Sequence, residues 1–243
     1  MDFNRDLFQS TLLQGLKDWD LGALRPGIPA ITRYVELVLK TNQTLNLTRI
    51  VEPEEMAIKN VLDSLALLRL DWPAKLSCVD LGTGAGFPGV PLALCRPDWS
   101  IVLLDSLLKR LRFLDQAAET IGLTNVVTLH ARAEEAGQAK EHREKYDLVV
   151  SRAVASLPVL LELASPLVKV GGVFVAYKSG DALAELEQSS KALRELRMQT
   201  ERVFPTELPL SMGDRNLLLF RKKAATPPLF PRRPGLPSKQ PLK

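Results

Sequence analysis

The chain has 243 residues, 46% hydrophobic and 25% charged, with a net charge of +4. That composition can bury one large core or two modest ones and predicts one main domain with additions. No apolar run reaches membrane-spanning length, and the opening Met1-Asp2-Phe3-Asn4-Arg5 lacks the apolar centre of a signal peptide, so the sequence predicts a soluble, cytoplasmic protein with no membrane partner.

Residues 3–19 carry Phe3, Leu7, Leu12, Leu13 and Leu16 near helical spacing, and the Gly/Pro-containing break at residues 22–29 ends that helix. A second helix fits residues 30–41. A third begins at Pro53-Glu54-Glu55, with proline and acids in its first turn, and runs toward Asp71. From residue 77 the pattern changes to short apolar strands alternating with helices. Strands are expected over residues 77–81, 100–104, 125–130, 146–151, 173–178, 198–204 and 216–221, with a helix over 156–169 turned by Gly171-Gly172 into the next strand. A charged helix is expected over 181–196. This alternation predicts a doubly wound, mostly parallel α/β sheet, with the last two strands antiparallel at its edge. Three regions follow: a helical extension (1–72), a sheet domain (73–223) and a basic, proline-rich arm (224–243). The six prolines of the arm exclude a core helix or strand and predict an extended segment, disordered or laid on the surface.

The segment Val79-Asp80-Leu81-Gly82-Thr83-Gly84-Ala85-Gly86-Phe87-Pro88-Gly89 sits between the first strand and the next helix, where α/β folds bind nucleotides. Gly82, Gly84 and Gly86 permit positive φ and a close approach of a ligand to backbone N–H groups. A tight turn needs glycine without any ligand, but three spacings favour one. Phe87 stands where the dinucleotide fingerprint would have its third glycine, which disfavours NAD. Asp105 ends the next strand, placed to accept from ribose hydroxyls. Asp80 precedes the loop, where a carboxylate suits an ammonium better than a phosphate. A ligand with a ribose and a cationic amino-acid end fits S-adenosylmethionine. No Lys-Ser or Lys-Thr follows the glycines as a P-loop requires, and no G-x-S-x-G elbow is present. Cys78, Cys95, His130 and His142 are the only cysteines and histidines, in no metal-ligand spacing, so neither a disulfide nor a metal site is expected.

Charge is uneven. From Arg215 onward there are eight basic residues and no acid, leaving the rest mildly acidic. This suits a polyanionic partner and equally a solvated basic end.

Taken in order, Asn46-Leu47-Thr48, Leu62-Asp63-Ser64, residues 80–89, Leu104-Asp105-Ser106 with Lys109-Arg110 and Phe113-Leu114, Ala133-Glu134, Ser151-Arg152-Ala153-Val154-Ala155 and the ending from Pro231-Arg232-Arg233 to Pro241-Leu242 form a specific set. On these residues the chain resembles the bacterial ribosomal RNA small subunit methyltransferase G family, also called glucose-inhibited division protein B. The resemblance covers nearly the whole length. It implies a seven-stranded methyltransferase sheet and methylation of a guanine N7 in 16S ribosomal RNA. It also implies cofactor contacts at Gly82, Phe87, Asp105, Ser106, Leu107, Ala133, Glu134 and Arg152. Without it, Ala133-Glu134 reads as an ordinary helix start and Arg152 as a surface ion pair. Asn60 departs from a place where the family often has histidine, and Lys178-Ser179-Gly180 from one where it often has Lys-Gly.

Guanine N7 carries a free lone pair, so the chemistry needs alignment rather than a general base. Arg152 is the candidate catalytic residue, placed between cofactor and base and able to donate to guanine O6. The target base must be unstacked. Lys109, Arg110 and Arg112, with Arg232 and Arg233 of the arm, are candidates for phosphate contact; a solvated helix face explains residues 109–112 as well. A same-fold methyltransferase acting on protein or a small molecule, or a catalytically silent RNA-binding protein, are the alternative readings. Nothing in the sequence calls for more than a monomer.

Overall fold

The computed structural model describes residues 3–152 and 154–243. Its centre is one seven-stranded sheet: Ser77–Leu81 (β1), Ser100–Asp105 (β2), Val126–His130 (β3), Tyr146–Arg152 (β4), Val168–Lys178 (β5), Met198–Glu207 (β6) and Asp214–Lys222 (β7). They lie in the order β3-β2-β1-β4-β5-β7-β6. Strands β1 to β5 pair in parallel, and β7 runs antiparallel between β5 and β6. The short connection between the last two strands permits this antiparallel pairing. The order reverses between β1 and β4, so a crevice opens at the carboxyl ends of these strands, the place where open α/β sheets bind ligands.

The strand period of two sorts the side chains. Cys78, Leu103, Leu148 and Val150 face one side and join the N-terminal helices in one buried cluster. Val79, Leu81, Leu104 and Val149 face the other side and join a second cluster. Asp80, Asp105 and Arg152 keep the phase of the first set, so all three belong to the side covered by the N-terminal helices.

Those helices are Arg5–Asp18 (α1), Ile28–Leu45 (α2) and a continuous helical stretch over residues 53–69 (α3). Asn4 caps α1 by accepting from the Leu7 amide at 3.0 Å, and α2 ends on Asn46 in the left-handed region. Within α3, residues Met56–Leu62 form a π-helical turn, an irregularity often found at functional sites. Gly15 of α1 sits where a Cβ would be 2.2 Å from Leu62 Cδ1, so α1 packs tightly on this turn.

Two predicted helices end differently. The helix after β4 covers Leu157–Ala164 and stops before Pro166, which has no amide to continue it. The chain enters β5 at Val168, and Gly171 at φ +83 carries the strand across a register irregularity against Tyr146 and Leu148. The charged helix over 181–196 is two short ones, Ala182–Glu187 and Ser190–Glu195. At their junction the Ser189 hydroxyl turns back to the Glu185 carbonyl at 2.7 Å, a local bond that competes with helix continuation.

The arm over residues 224–243 is laid on the sheet's second side. Phe230 and Leu242 are buried in its core, and Leu236–Lys239 form a single helical turn. Among the described residues no helix is long and apolar enough to cross a membrane, and no three His, Cys, Asp or Glu side chains converge as metal ligands would.

Candidate active site

A cavity of about 580 Å³ lies at the carboxyl ends of β1, β2 and β4. Gly82, Gly84, Phe87, Asp105, Ser106, Leu107, Ala133, Glu134 and Arg152 all line it. Sequence separations of up to 70 residues are thus closed by the parallel pairing of β1 with β2 and β4.

The loop after β1 is shaped mainly by its own hydrogen bonds. The amides of Gly82 and Thr83 donate to the Leu104 carbonyl at 2.9 and 3.0 Å, and those of Gly86 and Phe87 donate to the Thr83 carbonyl at 2.8 and 3.2 Å. Gly84 donates to Asp105 Oδ2 at 3.0 Å. The expectation that free backbone N–H groups of the loop hold a ligand is therefore corrected at these five positions, whose amides are already used to fold the loop. Gly86, at φ +81, is buried with the Tyr34 hydroxyl 2.1 Å from where a Cβ would stand. Its role is close packing on α2, and it does not line the cavity. Tyr34 donates to the Ala85 carbonyl at 2.5 Å and meets the Phe87 ring edge-on at 5.8 Å between centroids. Burial, with the nearby charge of Asp80 second, raises the Tyr34 phenol well above its ordinary range, so it remains a donor.

Asp80 is corrected too. It is wholly buried and absent from the cavity lining, so it is not placed to meet a ligand's ammonium. Oδ2 accepts from Thr83 Oγ1 at 2.7 Å and from the Gly89 amide at 2.8 Å, tying together both ends of the loop. Oδ1 has no hydrogen-bond partner. Burial lifts its carboxyl to about 6, against the opposing effect of the Thr83 and Gly89 bonds and the Arg152 charge.

Asp105 is the carboxylate that does reach the cavity. Oδ1 accepts from the Leu107 amide at 2.8 Å and Oδ2 from Gly84 at 3.0 Å, with Arg110 Nη1 3.6 Å away. Two backbone donors hold it in one orientation. Each oxygen retains acceptor capacity for a hydroxyl. Across the cavity, helix Ala133–Gln138 begins with Glu134 half-buried and its Oε1 accepting from the Gly235 amide at 2.9 Å.

Arg152 joins two elements far apart in sequence. Its Nη1 donates to the Lys59 carbonyl at 2.7 Å and to Asp63 Oδ2 at 3.1 Å, and its Nη2 donates to Asn60 Oδ1 at 3.0 Å. Its guanidinium carbon stands 5.6 Å from the Phe87 ring centre. Asn60 and Arg152 also line a second cavity of about 440 Å³, with Tyr177, Lys178 and Arg215 on its other walls. The Arg215 Nε lies 3.3 Å from Asp63 Oδ1, an ionic approach without hydrogen-bond geometry, since that oxygen has no hydrogen bond.

The basic candidates separate. Lys109, Arg112 and Arg233 are exposed, and Arg110 lines the cavity. Arg232 is committed elsewhere: its Nε and Nη2 meet Glu162 at 2.8 and 2.5 Å, and its Nη2 also reaches the Gln240 carbonyl at 2.8 Å. A phosphate would have to displace a wholly buried carboxylate, so Arg232 is reassigned from phosphate contact to holding the arm.

Sequence reasoning missed Tyr34, Thr48, Val154 and Ser238. Leu47, Thr48, Val154 and Ser238 line the larger cavity. Thr48 and Val154 belong to motifs noted in the sequence, but neither was given a role, and nothing in the periodicity of residues 30–41 singled out Tyr34. Asn60 was noted only as a departure from a family pattern.

The family model described as rRNA small subunit methyltransferase G matches residues 27–217. The chain belongs to this family. A ribosomal RNA small subunit methyltransferase G from Desulforamulus reducens is 41% identical over 233 residues, 96% of this chain and 97% of that protein. The protein of the same name from Acetivibrio thermocellus is 41% identical over 242 residues and the full length of both, and that from Desulfitobacterium hafniense is 45% identical over 209 residues, 86% of this chain and 87% of that one. Among solved structures, M. jannaschii TYW2 in complex with AdoMet aligns with a TM-score of 0.50 at 13% identity, over 67% of this chain and 76% of that one. The Methanococcus jannaschii fibrillarin pre-rRNA processing protein aligns with a TM-score of 0.50 at 13% identity, over 64% and 70%. At such identities these two likenesses carry the fold alone.

Proposed function

We propose that this chain, as a member of the rRNA small subunit methyltransferase G family, transfers a methyl group from S-adenosylmethionine to N7 of a guanine in 16S ribosomal RNA. The observation that carries the reading is the meeting of two cavities at Arg152 and Asn60. One has the chemistry for a nucleoside cofactor, and the other is open to a base.

The donor set of the larger cavity fits S-adenosylmethionine. Asp105 offers a fixed carboxylate to a ribose diol. Leu107 and Ala133 provide apolar surface for a purine beside Glu134, and Gly82 and Gly84 leave room at the strand ends. When bound, the cofactor supplies a methyl group on an electrophilic sulfonium. The protein's remaining task is to orient the nucleophile. Guanine N7 needs no deprotonation, and neither cavity is lined by histidine. Asp63 is held by Arg152 and Arg215, which makes it a brace rather than a free base. Arg152 stands at the junction with its guanidinium fixed by three acceptors, positioned to direct the Hoogsteen edge of a guanine through O6. Alignment of this kind contributes several kcal/mol to a displacement reaction, on the order of 7–11 in well-oriented models.

The test is labelled methyl transfer to 30S particles, naked 16S RNA and ribosomal protein, with nuclease digestion locating the label as 7-methylguanine. Label found in protein, or at another RNA atom, would remove this reading.

A further inference from the structure

Residues 224–243 are fastened along most of their length. Arg143 donates to the carbonyls of Thr226 and Phe230 at 2.9 and 2.8 Å, and Gln138 donates to that of Pro231 at 2.9 Å. A Cβ on Gly137 would lie 2.9 Å from the Pro231 ring, so helix Ala133–Gln138 and the arm are in close contact. At the centre is Glu162, wholly buried, whose Oε1 accepts from the Arg232 amide and Nε at 2.9 and 2.8 Å and whose Oε2 accepts from Nη2 at 2.5 Å. A buried pair of this kind adds little net stability, but it penalises any arrangement in which the partners separate. It therefore fixes the register of the arm.

Beyond this clasp the chain turns at Gly235, φ +81, into Leu236–Lys239. The Gly235 amide donates to Glu134 Oε1 at 2.9 Å, and Ser238 stands on the wall of the larger cavity. We propose that the end of the arm is a built part of the cofactor site. Ser238 closes the cavity beside Glu134, Gly235 fixes that carboxylate's orientation, and Arg232 is a positioning residue that holds the closing segment in place through Glu162. The inference rests on reading the cavity as the S-adenosylmethionine site. It assigns to the arm a cofactor role in place of the phosphate role its positive charge suggests.

Two consequences follow from linkage. Removing the wall weakens cofactor binding, and binding in turn favours the docked arm. The probe is S-adenosylhomocysteine, titrated calorimetrically into the full chain, a chain ending at Arg233, Ser238→Phe and Leu242→Ala. The truncated chain and Ser238→Phe should bind about tenfold more weakly, roughly the loss of one good contact. Leu242→Ala removes only buried apolar contact, so it should lower the unfolding midpoint with the dissociation constant within about twofold of the parent. Ser238 is exposed, so its replacement leaves the fold intact and decides the matter if the truncated chain does not fold. In steady state the cofactor KM should rise in Ser238→Phe while kcat at saturating cofactor and the KM for RNA hold. In the full chain the ligand should slow tryptic cleavage at Lys239. Parental affinity in both the truncated chain and Ser238→Phe would overturn the proposal, as would a truncated chain that lost only RNA affinity. Failure of the full chain to bind would instead overturn the methyltransferase reading, and this inference with it.

Discussion

Arg152 Nη1 lies 3.1 Å from Asp63 Oδ2, an ion pair between the end of a central strand and a helix of the N-terminal extension. Both side chains are largely buried, at 16% and 4% exposure, so neither charge is well solvated without the other. The pair makes the extension part of the site rather than an appendage. Arg152→Ala should reduce methyl transfer about a hundredfold, the scale of a misplaced reactant, while changing cofactor affinity much less. Arg152→Lys cannot keep a planar fork toward Asp63 and Asn60 and should recover little. Single-turnover methylation and cofactor titration, run on the same variants, separate the two effects; unchanged transfer in Arg152→Ala would reject the role.

Tyr34 supports the glycine loop from α2 through the Ala85 carbonyl. Tyr34→Phe keeps the ring against Phe87 and removes only the donor, leaving a buried carbonyl unpaired at a cost of about 1–3 kcal/mol. The expected outcome is a loss of stability in denaturant titration of that size, accompanied by weaker cofactor binding. A stability loss with parental cofactor affinity would show that the loop keeps its shape without this bond.

Much of this was legible from the sequence because it follows from periodicity. The alternation of apolar strands and helices fixes the sheet, and the spacing from Gly82 to Asp105 brings the loop and carboxylate to one crevice. What periodicity could not give was direction. Asp80 and Asp105 both sit at strand ends, but Asp105 reaches the cavity and Asp80 turns under the loop. Likewise, Arg232 and Arg233 are adjacent in a basic arm, and only the fold reveals that one of them meets Glu162. The glycines carried a similar ambiguity. Gly82 and Gly84 line the cavity, whereas Gly86 makes room for Tyr34. Pairings between residues 70 or more apart leave no local signature.

RNA affinity should depend on the exposed basic face of helix Leu108–Ile121, beside the cavity mouth at Arg110. Lys109→Gln with Arg112→Gln removes two exposed charges without touching the cavity lining. If both meet phosphates of a single-stranded target, the slope of log affinity against log salt should fall in magnitude by about 1.4. Cofactor titration should be unaffected. An unchanged slope in filter-binding measurements would return this face to ordinary solvation.

Asp80 provides the pH test of the loop. Its carboxyl rises from an ordinary 3.8 to about 6, chiefly through burial. The folded chain therefore holds the Asp80 proton more tightly than the unfolded chain does. The stabilisation belonging to the protonated form is complete below the ordinary value and is lost as pH rises through about 6. Two pKa units correspond to about 3 kcal/mol at most. Asp80→Asn keeps a carbonyl oxygen for Thr83 and Gly89 but cannot titrate. It also places an amide where Oδ1 has no partner, which costs about 1–3 kcal/mol at every pH. The discriminating quantity is thus the slope and not the level. In urea unfolding from pH 4 to 7, the stability of the parent relative to Asp80→Asn should fall steadily and then flatten above pH 6. A difference independent of pH across that range would mean that Asp80 is already ionised at its lower end, with the Thr83 and Gly89 bonds outweighing its burial.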